Sequence, residues 1–424
     1  MASLAGPEMR GRGCGTTDEH AAARYIAESF RQSQIPGGFR PDLHLQPVQL
    51  VTPTASAPAT LRFSTGRRQV VLTQGRDFVV RGPPDVLDGR FLRISSSEGP
   101  TGPVTGRVVI FEPAAPDPAG VQRLLQGGAA AVMLSATPQV IETWQALAKQ
   151  PPGRTQIIGV PAEKRPGVVF FLTPQAMASL RPLIGGTIHF DSPRGPPILR
   201  QTYNVMGVLH GTAVDADRRA VLLTAHYDHL GVREGVIYPG ANDDASGTAA
   251  VLEFARLLGA APRHGRTVYF ALFGCEEEGG LGAQHFLAHL PMELSDLSVN
   301  LEFEMIGADD PQRPGYLMLT GWDRSNLGPT LQAHGARIGP DLYPEQNFFQ
   351  RSDNYQLALK GVVAQTVSAW PMTPTYHSPT DTLANLDLDF MTQVIGSMLE
   401  PITWLLDSDF RPAWNRGQKP GVSP

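Results

Sequence analysis

The sequence predicts an α/β protein: an open, twisted, mostly parallel mixed sheet sandwiched by helices, with a β-rich accessory domain inserted near its start. Three observations predict this. From about residue 200, short apolar runs over 220–225, 267–273 and 299–304 alternate with helical spacing over 245–258. Such strand–helix alternation builds a parallel sheet covered on both faces. Residues 45–198 lack that alternation and carry β-rich runs between Pro/Gly turns. A long apolar helical pattern over 388–406 then closes the chain, with Glu400 and Pro401 interrupting it.

Each element has its own signal. The first helix follows Thr16, where Thr16 and Glu19 have capping-box spacing; Ala22, Tyr25, Ile26, Ser29 and Phe30 keep helical spacing until Pro36-Gly37-Gly38 stops it. In the accessory stretch, strands are expected over 69–73, 104–111 and 167–172, with one helix over 118–126 and an apolar run over 129–134. His44 and His189 stand alone there and read as core or solvated side chains. Further on, Ser352 and Asp353 read as caps of a helix over 354–360, and Glu253 as a surface or packing charge. Phe348 and Phe349 line a pocket or join the core. The expected organisation is 1–44 with 199–408 as the main domain, 45–198 as the accessory domain, and 409–424 as a loose polar tail.

Composition narrows the function classes. With 424 residues, 42% hydrophobic and 18% charged, the chain is long and apolar enough to bury a large core. A net charge of −5 gives no electrostatic reason to expect nucleic acid or an anionic membrane as main partner. No run of ~18 apolar residues occurs, so membrane insertion is not expected. Cys14 and Cys275, the two cysteines present, exclude a disulfide framework and a cysteine-rich zinc site but leave one disulfide possible. The first residues lack the basic start and apolar stretch of a secretion signal.

Chemistry-bearing residues cluster where predicted strands end, the edge at which open α/β sheets build their sites. His226-Tyr227-Asp228 follows the first strand: an imidazole that suits Zn²⁺ with a carboxylate placed to hold its other ring nitrogen. Asn242-Asp243-Asp244 puts two acids at a helix start, where a cap needs only one. Cys275-Glu276-Glu277-Glu278 follows the second strand and can offer a metal ligand beside a general base. Glu302 and Glu304 share one face of the third strand, where a buried acid needs a partner, economically a cation. His377 lies in a Pro-rich loop. In this order the residues supply ligands for two zinc ions bridged by one carboxylate, held ~3.5–4 Å apart in sites of this kind.

These stretches (AHYDH, PGANDDASG, CEEEGGLGA, EFEMIG, RSDNY and YHSPTDT) resemble, in order, the aminopeptidase Y-type family of dinuclear zinc metallopeptidases, which includes glutamate carboxypeptidase, glutaminyl cyclase and the transferrin receptor. VTGRVVIF with QGGAAAVML resembles the protease-associated domain often inserted in that family. The resemblance implies a zinc exopeptidase fold, two Zn²⁺ per chain and peptide substrates. It implies His226, Asp243 and Glu304 at one zinc, and Asp243, Glu277 and His377 at the other. It further implies Glu276 as general base, Asp228 as partner of His226, Tyr376 as an oxyanion-stabilising phenol, and a cis bond between Asp243 and Asp244. Aminopeptidases of the family commonly carry Asp before Met-Ile-Gly, where this chain has Glu304, one methylene longer; Glu302 is the alternative ligand. An aminopeptidase is the leading expectation. The alternatives are a carboxypeptidase gripping a substrate carboxylate through Arg324 or Arg351, a one-zinc glutaminyl cyclase-like enzyme, and an inactive receptor-like scaffold.

Overall fold

Every residue of the strand Ala220–His226 is buried, and its alternating side chains enter two different cores. Val221, Leu223 and Ala225 pack with the helices Thr17–Gln32, Gly247–Ala260 and Leu388–Asp407. Ala220 and Leu222 pack on the opposite face with Leu281–Ala288 and Asn354–Leu359. A strand apolar on both sides is what a sheet covered by helices on both faces requires.

The computed structural model describes residues 1–81, 87–94, 104–112, 117–149, 153–161 and 168–421. It divides into two units, one of Met1–Leu50 with Arg200–Pro424 and the other Val51–Leu199. Among the described residues, no helix is long and apolar enough to cross a membrane.

The first unit is a mixed α/β structure. Its sheet runs Ile338–Pro340, Leu317–Leu319, Val363–Ser368, Leu297–Phe303, Ala220–His226, Val268–Phe273, Arg194–Leu209 and Leu45–Ala55. The central strands Val363–Ser368, Leu297–Phe303, Ala220–His226 and Val268–Phe273 are parallel, so their carboxyl ends share one edge. Leu317–Leu319 pairs antiparallel with Val363–Ser368, and Arg194–Leu209 with Val268–Phe273.

Local chemistry explains the ends. Thr16 caps the first helix by accepting from the Glu19 backbone N–H at 3.2 Å. Glu19 does not close the box on Thr16. It accepts from Gly15 N–H and from the Thr202 hydroxyl, tying the helix to a neighbouring strand. Gly247 opens its helix against the end of Leu297–Phe303, where a Cβ would sit 1.9 Å from the Phe303 carbonyl oxygen, so only glycine fits.

Three sequence expectations change. The helix Leu388–Asp407 runs unbroken through Glu400 and Pro401. Burial of Pro401, Ile402, Leu405 and Leu406 offsets the hydrogen bond that proline removes. Residues 410–421 are not loose. Trp414 pairs with Ser325 and donates its indole N–H to Gly361 O at 3.0 Å, while Asn326 and Ala413 exchange two hydrogen bonds. Nor does Asp353 cap Asn354–Leu359 with its side chain; that N–H goes to Glu302.

The second unit, Val51–Leu199, is built on a sheet ordered Arg68–Thr73, Thr60–Thr65, Thr187–Asp191, Leu87–Ile94, Val108–Phe111, Ala131–Ser135, Val168–Leu172 and Phe78–Arg81. Phe63, Phe78, Phe170 and Phe190 fill its main core. It holds more helix than the one segment expected: Pro138–Glu142, Trp144–Ala148 and Pro174–Leu180 join Pro118–Gln126. Asp117, Thr137 and Thr173 each cap a helix whose next residue is proline. Pro138 and Pro174 read as turn signals in the sequence, yet proline also suits the first position of a helix. Residue 167, the start of an expected strand, lies outside the described residues.

Candidate metal centre

The parallel register places the site. His226 ends its strand level with Phe273, so the acids after Gly274 start just beyond it. Thr224 stands opposite Glu302, so two residues later Glu304 falls level with His226. Glu302 faces elsewhere. It is buried, accepts from the Asn354 backbone N–H and from Thr366 Oγ1, and thereby caps a helix instead of meeting a cation. Burial, followed by the neighbouring Asp353, pushes its pKa up.

Asp243 is the hub. Its Oδ1 lies 3.2 Å from His226 Nε2, and its Oδ2 lies 3.2 Å from His377 Nε2. Glu304 Oε1 completes the first group, 3.9 Å from His226 Nε2. Glu277 completes the second, with Oε2 3.1 Å from His377 Nε2. Asp243 is held below the usual carboxylate range: burial raises its pKa, but the contacts with His226 and His377 outweigh it. His377 is raised to about 9, because its hydrogen bonds to Asp243 and Glu277 overcome burial. Burial brings Glu304 up to about 7 and moves Glu276 well above the carboxylate range.

Neighbouring acids take different jobs. Asp244 accepts from Gly247 N–H and Met305 N–H, and so caps a helix while Asp243 faces the histidines; the peptide between them is cis. Glu278 turns away to a two-oxygen pair with Arg200. Asp228 lies 3.6 Å from His226 Nδ1. Its oxygens also accept from the backbone N–H groups of Glu276 and Glu277. Cys275 is joined to Cys14 in a disulfide, so no thiol adjoins Glu276.

Beside Glu304 opens a cavity of about 40 Å³, lined by Met305, Met318, Phe348, Arg351 and Tyr376 among others. Tyr376 stacks on His377, and Arg351 donates to its hydroxyl at 3.3 Å. Phe348 thus lines the cavity, whereas Phe349 joins the core and packs against Trp414. Arg324 lies over Phe349 and donates to Gln418 O. Glu253 pairs with Arg256 at the surface, and His44 is a core side chain bonded to Ile35 O.

Sequence reasoning missed four contributors. His229 enters the second group, with Nδ1 2.8 Å from Glu277 Oε1. A second histidine three residues after His226 was its only signal. Asp381, inside the YHSPTDT stretch, accepts from the backbone N–H groups of Asn242 and Asp243 and so fixes the hub. Asp353 is buried with neither oxygen partnered, and burial pushes it up to about 8. Arg12, fully buried, donates to the carbonyls of Leu4, Tyr227, Pro239 and Gly240 and pins the loops beside the site.

Among the described residues, two groups can hold a cation: His226, Asp243 and Glu304, and His229, Asp243 and Glu277. The donors fit a borderline-soft ion such as zinc, which takes imidazole and carboxylate ligands. His226 Nε2, both His229 nitrogens and Glu277 Oε1 are buried without hydrogen-bond partners, as ligand atoms awaiting an ion would be.

The chain is similar to known proteins in sequence and in fold. The lipoprotein aminopeptidase LpqL of Mycobacterium tuberculosis, a probable assignment, is 29% identical over 225 residues, 44% of this chain and 43% of that protein. Aminopeptidase YwaD of Bacillus subtilis is 42% identical over 181 residues, 41% of this chain and 38% of that one. The match thus spans about two fifths of these curated relatives. In fold, the chain resembles an aminopeptidase from Aneurinibacillus sp. strain AM-1, with a TM-score of 0.57 over 96% of both chains at 19% identity. It also resembles BSAP, a zinc aminopeptidase from Bacillus subtilis, with a TM-score of 0.51 over 96% of this chain and 93% of that one at 19% identity. Residues 204–400, which contain both candidate cation groups, match the model of Peptidase family M28.

Proposed function

We propose that this chain is a zinc-dependent exopeptidase, an aminopeptidase that removes N-terminal residues from peptides with two zinc ions per chain. One observation carries the reading: the single carboxylate of Asp243 turns one oxygen to His226 and the other to His377. His226, Asp243 and Glu304 would hold one ion, and Asp243, Glu277 and His377 the other. When bound, the pair supplies Lewis acidity toward the scissile carbonyl and makes a water acidic enough to lose a proton near neutrality.

The remaining work falls to the chain's own groups. Glu276 takes the proton from the attacking water and passes it to the leaving amine. Its burial favours the protonated form, which suits the delivery step. Asp228 keeps the Glu276–Glu277 backbone in place and lies beside His226 Nδ1. Tyr376, with Arg351 on its hydroxyl, borders the cavity and can donate to a developing oxyanion. The Val51–Leu199 unit is proposed to be a protease-associated domain.

A second reading keeps Arg351 in view. It borders the cavity beside Glu304 and Tyr376, where a carboxypeptidase would grip a free carboxylate. The test is zinc content per chain together with cleavage of Leu, Ala and Arg anilides and of peptides with free or acetylated N-termini. Two zincs and cleavage of free N-termini alone support the aminopeptidase. Cleavage that ignores N-terminal acetylation but needs a free C-terminus transfers the reading to the carboxypeptidase. Absence of zinc uptake from added metal defeats both.

A further inference from the structure

His229 is fully buried and reaches the Asp243–Glu277 pair from the loop after the Ala220–His226 strand. Its backbone is fixed by a hydrogen bond to Arg12 O and a bridge to Gly13. Its Nδ1 lies 2.8 Å from Glu277 Oε1 and 3.8 Å from Asp243 Oδ2. Beyond that contact, neither Nδ1 nor Glu277 Oε1 has a hydrogen-bond partner. A buried ring nitrogen and carboxylate oxygen that converge with no other partner are arranged like two ligands of one cation. His377 meets the same carboxylates through Glu277 Oε2 at 3.1 Å and Asp243 Oδ2 at 3.2 Å. Zinc bonds of ~2.0–2.2 Å imply ligand–ligand edges of about 3.3–3.6 Å in a tetrahedron. The four separations lie within about 0.5 Å of that range.

The geometry points to His229 as a fourth protein ligand of the second metal position, joining Asp243, Glu277 and His377 through Nδ1. This rests on the two-metal reading above and adds a residue to it. The two positions then differ. Three side chains would hold the first ion and four the second. The second position accordingly fills first and releases its ion last.

Cobalt(II) titration of the whole chain tests this, with absorption spectra recorded for wild type and His229→Ala. Wild type is expected to bind two Co²⁺. His229→Ala is expected to weaken one of them by more than the ~10–100-fold typical of losing an outer-sphere partner, and to shift its visible bands. A smaller loss with unchanged bands overturns ligation, as does no change. A variant-free measurement covers misfolding: proton NMR of Co²⁺-loaded wild type should show three paramagnetically shifted imidazole N–H signals, and two would overturn the inference. Wild type that binds fewer than two Co²⁺ sinks the two-metal reading and this inference with it. Two bound ions with an unperturbed variant sinks this inference alone.

Discussion

Asp243 and Asp244 are adjacent in sequence and opposite in use. One faces two histidines, and the other bonds the backbone of Gly247 and Met305. Glu276, Glu277 and Glu278 divide in the same way, with only Glu277 close to His229 and His377 and Glu278 paired to Arg200. The division makes a sharp prediction for Glu276. Glu276→Ala should keep its zinc, measured by metal analysis, while turnover falls by about 10²–10⁴, the usual worth of a positioned general base. Zinc lost along with activity would make Glu276 a ligand instead. His229 shows the limit of residue-level reading. Its partner Glu277 lies 48 positions on, and nothing local in AHYDH says which histidine faces it.

At the level of elements, the site hangs on strand ends and on the turns that follow them. Cys275, Met305 and His377 all adopt left-handed backbone, with φ of 57°, 53° and 50°, in the turns that carry the functional side chains. Such conformations are uncommon away from glycine and gather at functional sites. The turn bearing Glu276 is also bound to the N-terminal segment by the Cys14–Cys275 disulfide, which closes a loop with a separation of 261 residues. Removing a cross-link over so long a loop should cost about 2–5 kcal/mol of stability. Cys14→Ser is therefore expected to unfold at a lower denaturant concentration, with a steeper denaturant slope because the unlinked unfolded chain exposes more surface. An unchanged midpoint would show that Arg12 and its carbonyl partners hold the segment unaided.

For the whole molecule, the cluster of buried ionisable groups sets how stability follows pH. Asp353 rises from 3.8 to about 8 and Glu304 from 4.5 to about 7, each chiefly through burial. His377 rises from 6.5 to about 9, since its bonds to Asp243 and Glu277 win over burial. In each case the folded chain holds a proton that the unfolded chain has begun to release, so stability falls as pH rises through the folded value. His285, lowered to about 4 by burial and by His289, acts in the opposite sense only below pH 6.5. The metal-free protein should therefore lose thermal stability steadily from pH 6.5 to 9, and Asp353→Asn should flatten the part of that slope below pH 8. Zinc should reduce the slope, because bound metal needs those ligands deprotonated. Melting curves at pH 6.5, 7.5 and 9, with and without zinc, would contradict the cluster's role if the metal-free curves coincide. The α/β class, the central strands, the helix after Asp243 and the five ligand-type residues His226, Asp243, Glu277, Glu304 and His377 could be read from residue order, because periodicity and strand-end placement are local properties. The use of Glu302 as a helix cap, of Asp381 and Arg12 as supports, the docked tail at Trp414 and the approach of His229 to Glu277 needed the fold. Each depends on strand register or on contacts between residues far apart in the chain, and no local pattern encodes those distances.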